Sequence, residues 1–309
     1  MTVTIRHGDC REVLATLPAE SVHCVVTSPP YWRQRDYGMA DQIGLELTPE
    51  EYLEKIATAF GEVRRVLRPD GVCWINIGDK WASGGNGGGG ILSERRGAWR
   101  VLAGEKGWRK PPPGYKDKDL VLISFAVAER LRSDGWFLRK TIIWSKHRAN
   151  EPPRLDRPSI SHEYLFMLSK ENDSRARDPG EKWWQSSVWE IAPQGGPDHP
   201  AMMPEELVRR CIVSSSAAGD VILDPFGGSG TTGLVADRMG RDAILIELNP
   251  EYAEAAGRRL RGDAGMFADV YQLESQRQSL APSGCSISDA SALGHSVNGG
   301  PFAGPRMRA

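Results

Sequence analysis

Apolar residues in this chain fall into short runs that stop abruptly at turn-forming residues. Residues 23–27 (H-C-V-V-T) and 220–223 (D-V-I-L) are rich in β-branched side chains and each runs into a turn signal. Such runs are too short for helices and predict buried parallel strands. Further strands are predicted at 3–6, 72–77, 138–144, 164–168 and 243–247. Between them, apolar positions recur at helical spacing over 48–67, 119–133, 204–216, 230–239 and 250–260. The first of these opens with Thr48-Pro49-Glu50-Glu51, a cap followed by proline and acids, and stops at Pro69-Asp70-Gly71. Strands alternating with helices predict an α/β fold: a doubly wound, mostly parallel sheet of about seven strands with helices on both faces.

Three stretches break the pattern. Residues 82–118 hold S-G-G-N-G-G-G-G, then a basic run with Trp99 and Trp108, then three prolines, and are predicted to be a flexible insertion. Residues 172–196 are polar, carry Trp183, Trp184 and Trp189, and show no clear period. From 263 onward Ser, Ala, Gly and Pro replace large apolar groups, which predicts a disordered tail behind one folded domain at 1–262.

Composition narrows the class. Apolar residues at 40% and charged residues at 26% exclude wholesale disorder and collagen-like or disulfide-dense chains. The five cysteines form no C-x-x-C pair, so they are expected to be reduced and mostly in the core. No apolar run reaches membrane-spanning length and the first residues lack a signal-peptide layout, so a cytoplasmic protein with no membrane partner is expected. A net charge of -1 offers no global steering field for a polyanion. Residues 82–118 supply one locally, with eight basic and three acidic residues.

Two segments carry chemistry. Asp224-Pro225-Phe226-Gly227-Gly228-Ser229-Gly230-Thr231-Thr232 follows a predicted strand and opens a predicted helix, so glycines and free helix-terminal N–H groups can approach a ligand. Gly228-x-Gly230-x-x-Gly233 also matches the dinucleotide fingerprint, which leaves a NAD-linked oxidoreductase open at this point. Glu247 closes the next strand, where a carboxylate suits a ribose diol. The second segment is Thr27-Ser28-Pro29-Pro30-Tyr31-Trp32. Its prolines stiffen the turn and remove two N–H donors, so a serine hydroxyl and a rigid carbonyl can both accept from an amino group beside an aromatic face.

A nucleoside-binding strand end beside an amine-binding strand end describes methyl transfer from S-adenosyl-L-methionine to a base amino group. The chain resembles the DNA amino-methyltransferases of the permuted, β-type motif order, in which the catalytic S/D-P-P-Y precedes the cofactor motif. Matching segments are Gly8-Asp9-Cys10, T-S-P-P-Y-W at 27–32, Arg68-Pro69-Asp70-Gly71, Ile143-Trp144-Ser145-Lys146, His162-Glu163-Tyr164-Leu165-Phe166, His199-Pro200-Ala201, D-P-F-G-G-S-G-T-T at 224–232, and Glu247. The resemblance implies that Ser28, Pro29, Pro30 and Tyr31 are catalytic. It also implies that Pro225, Phe226, Gly228, Gly230 and Thr231 hold the methionine and sulfonium part of the cofactor, with Asp224 near its amino group. Glu247 would accept from the ribose, Asp9 would lie against the adenine, and His199 with Pro200 would line the same pocket.

The implied partner is double-stranded DNA, from which the target base must be flipped. Arg95, Arg96 and Arg100 in the basic insertion, and Lys146, Arg148 and Arg154 within 145–160, are the candidate DNA contacts. Residues 172–196 lie where the β-type order keeps its recognition region. Carbon-5 cytosine chemistry is rejected because that family's thiolate sits in a Pro-Cys dipeptide, absent here. Serine at position 28 favours cytosine N4 over adenine N6 within the resemblance.

Overall fold

The structure is a computed structural model and describes residues 1–39, 41–82, 111, 114–147, 155–195, 202–263 and 269–274. The chain begins with strand β1 (Thr2–His7), a short helix α1 (Cys10–Ala15) and β2 (Val22–Thr27), followed by α2 (Pro49–Val66) and β3 (Leu67–Ile77). Two-residue strands β4 (Trp81–Ala82) and β5 (Asp119–Leu120) pair antiparallel and close the base of the glycine-rich insertion. Then come α3 (Ile123–Ser133), β6 (Phe137–Ser145), β7 (His162–Ser169) and β8 (Val188–Glu190). The described chain ends with α4 (Glu205–Ser215), β9 (Val221–Asp224), α5 (Thr231–Arg238), β10 (Asp242–Glu247), α6 (Pro250–Asp263) and β11 (Asp269–Glu274).

Nine of these strands form one sheet in the order β11-β1-β10-β9-β2-β3-β7-β6-β8. β7 runs against both neighbours, and every other pairing is parallel. The mostly parallel, doubly wound reading therefore holds, with nine strands instead of seven. β8 is three residues long, too short for alternation to register, and β6 supplies its pairing. β11 lies inside the stretch expected to be a disordered tail and corrects that boundary, because it pairs with β1 along the whole strand. The six-residue α1 was not predicted either, since it spans less than two turns. The helix expected from 119 begins at Ile123, because Asp119 and Leu120 pair with the end of β4.

Successive strand residues feed opposite faces. Val25, Cys73, Ile75, Phe166 and Leu223 pack under α1, α2 and α3 with Leu14, Phe60 and Val127. Cys24, Val26, Trp74, Leu165 and Leu245 pack under α4, α5 and α6 with Leu207, Ile212 and Ala253. Each large side chain buried in this way is worth roughly 1.5–3 kcal/mol of transfer free energy. α2 shows the local logic: Thr48 and Glu51 form a capping box, Pro49 starts the helix, and Tyr52, Ile56, Phe60 and Val63 make its buried stripe. Cys10, Cys24, Cys73 and Cys211 are buried free thiols, while Cys285 lies outside the described residues. Trp189 is buried against Trp74 and Trp183, so the tryptophans of 172–196 that are placed here serve packing. No helix among the described residues is long and apolar enough to cross a membrane.

Candidate active site

Parallel strands bring their carboxyl ends to one edge of the sheet, and β2 lies next to β9 with β10 beyond it. There they open into one cavity of about 590 Å³, lined on one side by Phe226, Gly228, Thr231 and Glu247 and on another by Ser28, Pro29, Pro30 and Tyr31. That volume is in the range of small-ligand sites. The two motifs are joined directly: the Thr27 hydroxyl donates to Asp224 Oδ1 at 2.6 Å. Asp224 also accepts from Phe226 N at 3.1 Å and from the Thr232 hydroxyl at 2.7 Å. Burial pushes its pKa up to about 6 despite these donors. The ligand amino group expected near this carboxylate thus meets one already supplied with internal donors, which rivets the two strand ends together.

Glu247 carries the opposite signature. Its Oε2 accepts from Gly228 N and its Oε1 from Asn249 N, both at 2.8 Å. Those bonds use two of roughly four acceptor positions on a carboxylate, so the remaining pair can serve two hydroxyls. Burial drives its pKa up to about 7 against the pull of the backbone N–H groups of Asn249, Gly228 and Leu248, and the nearby Asp224 charge adds to the rise. A buried carboxylate in this condition gains most from a ligand that donates. Gly230 adopts φ +76° at the start of α5, and a Cβ there would stand 3.1 Å from Ala256 Cβ, so glycine is needed for the turn.

Asp9 caps α1 by accepting from Arg11 N at 2.8 Å, and the Arg11 guanidinium also donates to both of its oxygens. Burial alone would raise its pKa, but the Arg11 hydrogen bonds and charge outweigh burial and hold it below the ordinary carboxylate value. It lines the same cavity. Tyr37 and Tyr252, which sequence reasoning did not assign, stand edge to face there with ring centres 6.3 Å apart.

At the other end, Tyr52 of α2 donates its hydroxyl to the Pro30 carbonyl at 2.9 Å. Pro29 lines the cavity beside Ser28. The Tyr31 phenol donates to Glu163 Oε2 at 2.6 Å, with Asn76 Oδ1 3.3 Å away, and Ser28 Oγ donates to that phenol at 3.4 Å. Burial and the Glu163 charge raise the Tyr31 pKa well above its ordinary value, so the phenol stays protonated.

Lys146, expected among the DNA contacts, has an internal partner. It is buried, pairs with Glu163 Oε1, lies 4.7 Å over the Trp144 ring and lines the cavity, so its ammonium is engaged by a carboxylate inside the protein. Glu163 itself carried no assigned role; a single acid opening an otherwise apolar strand was the available signal. Arg95, Arg96, Arg100, Arg148, Arg154 and His199 lie outside the described residues, although Gly195 and Met202, on either side of His199, line the cavity.

A carboxylate with acceptor positions to spare and the Ser28-Pro29-Pro30-Tyr31 turn thus open into one cavity at the carboxyl edge of a doubly wound sheet. Residues 22–258 match the model of the N6/N4 DNA methylase family. The type II methyltransferase M.Cfr9I of Citrobacter freundii is 42% identical over 270 residues, covering 84% of this chain and 88% of that protein. Among solved structures, TTHA0409 of Thermus thermophilus, described as a DNA modification methylase complexed with S-adenosyl-L-methionine, superposes with a TM-score of 0.62 at 28% identity, covering 87% of this chain and 98% of its own. PvuII DNA methyltransferase shares the fold, with a TM-score of 0.63 at 23% identity over 84% of this chain and 86% of its own. The chain belongs to the N6/N4 DNA methylase family. It is an S-adenosyl-L-methionine-dependent DNA methyltransferase.

Proposed function

We propose that this enzyme is the modification methyltransferase of a restriction–modification system and that it methylates the exocyclic N4 of a flipped cytosine. The observation that carries the chemistry is that Ser28-Pro29-Pro30-Tyr31 and the 226–231 loop with Glu247 face one cavity. The modification role draws on relatives such as M.Cfr9I, a type II methyltransferase. S-adenosyl-L-methionine, when bound, supplies a methyl group made electrophilic by its sulfonium.

In this reading Glu247 accepts from the ribose hydroxyls, Asp9 flanks the adenine, and the loop of Pro225, Phe226, Gly228, Gly230 and Thr231 cradles the methionine end. Ser28 Oγ and the Pro29 carbonyl each accept one N–H of the target amine. Two such bonds draw the nitrogen out of ring conjugation and leave its lone pair free to attack in line, with alignment supplying most of the acceleration. Flipping the base costs a few kcal/mol, which contacts to the DNA backbone offset. Serine at position 28 favours cytosine, while both amines present the same two donors. Incubating duplex DNA with labelled cofactor and analysing the nucleosides tests this directly. N4-methylcytosine is expected; N6-methyladenine alone would overturn the choice of base, and neither product would overturn the function.

A further inference from the structure

We propose that Glu163 and Lys146 form a positioning pair that fixes the Ser28 hydroxyl as a pure acceptor for the target amine and opens an exit for its proton through Tyr31. The proposal rests on the reading of this cavity as an amine-methylating site. The Tyr31 phenol has one proton, and Glu163 Oε2 at 2.6 Å takes it. The phenol oxygen is then left to accept, and Ser28 Oγ, 3.4 Å away, directs its single proton there. Ser28 therefore faces the cavity with lone pairs alone. A freely rotating serine would instead offer its proton to the nitrogen lone pair, the pair that must form the new bond. Lys146 completes the device: it holds the second Glu163 oxygen, balances the charge, and is itself fixed over Trp144.

Charge development makes this arrangement useful. As the target nitrogen bonds to the methyl carbon, the carbon–sulfur pair stays with sulfur and the nitrogen becomes positive with one proton too many. Its N–H bond to Ser28 strengthens at that moment, which stabilises the transition state more than the ground state. The surplus proton passes to Ser28 Oγ as the Ser28 proton moves to Tyr31 and the Tyr31 proton to Glu163 Oε2. The N–H electron pair remains on nitrogen as its restored lone pair. Ser28 and Tyr31 end neutral, the methylated amine ends neutral, and the protonated Glu163 is re-ionised by solvent.

The test is a mutant cycle on the full chain, read by single-turnover methylation of duplex DNA, by calorimetry of S-adenosyl-L-methionine binding and by anisotropy of DNA binding. Glu163→Gln should slow methyl transfer by about 100-fold, the bottom of the range for proton-transfer groups, with both affinities unchanged. In a Tyr31→Phe background, Glu163→Gln should have no further effect, since the relay is already cut. Glu163→Gln with Lys146→Met removes the pair without stranding a buried ammonium and should behave as Glu163→Gln does. A wild-type rate in Glu163→Gln, or the same fold-loss with and without the Tyr31 hydroxyl, would overturn the relay and leave the site reading intact. A wild-type protein that binds the cofactor and methylates no DNA would overturn the site reading and the relay with it.

Discussion

The sharpest test of the cofactor half concerns Glu247 and pH. Its carboxylate is buried and its pKa is raised from 4.5 to about 7, chiefly by burial. At about 1.4 kcal/mol per unit, ionising it inside the folded protein costs on the order of 3 kcal/mol. The sign follows from proton uptake. A raised pKa means that the folded state holds this proton more tightly than the unfolded chain, so the group's contribution to stability falls as pH rises from about 4.5 to about 7 and is lowest above that window. Ligand hydroxyls donate to the ionised form and reverse this trend for binding. Wild-type affinity for S-adenosyl-L-methionine should therefore be about tenfold weaker at pH 6 than at pH 8. In Glu247→Gln the amide directs donors toward Gly228 N or Asn249 N and cannot accept two hydroxyls. Loss of charged-acceptor bonds worth about 1.5–3 kcal/mol lowers affinity roughly ten- to hundredfold at pH 8. Calorimetry on both proteins across this pH range, taken as wild type minus variant, cancels any titration of the ligand. A difference that is flat with pH, or equal affinities at pH 8, would refute the assignment of this carboxylate to the ribose.

Three further outcomes follow from the same geometry. Tyr52→Phe removes the donor to the partly buried Pro30 carbonyl and should cost about 1 kcal/mol in denaturant unfolding, with slower methyl transfer and unaltered cofactor affinity; unchanged stability and rate would show that the clamp has no role. Asp224→Asn removes a carboxylate whose pKa is raised to about 6, so the variant should gain thermal stability relative to wild type as pH rises from about 4 to about 6; a gain that shrinks over that interval would contradict the burial argument. Neutralising Arg95, Arg96 and Arg100 should weaken DNA binding and reduce its salt slope by about one unit per lost phosphate contact, whereas an unchanged slope would place the DNA surface elsewhere.

Much of this protein is written in local sequence. Short β-branched runs ending in turns located β2 and β9, and Thr48-Pro49-Glu50-Glu51 marked the start of α2, because capping and turn chemistry act between residues that are close along the chain. Ser28, Pro29, Pro30 and Phe226 could be picked out for the same reason, since each motif is made of adjacent residues, and Glu247 by its place at the end of a predicted strand. Only the tertiary structure decided which polar group meets which. Thr27 finds Asp224 across 197 positions, and Tyr31 finds Glu163 across 132, through a strand order that no periodicity reports. That order set the buried Lys146 against Glu163, a pairing that sequence reasoning did not foresee. It also drew Asp269–Glu274 out of an expected tail and onto β1. A side chain's charge is fixed by its type, but whether it faces solvent or a buried carboxylate depends on crossovers between distant segments, and those are set by packing the whole sheet.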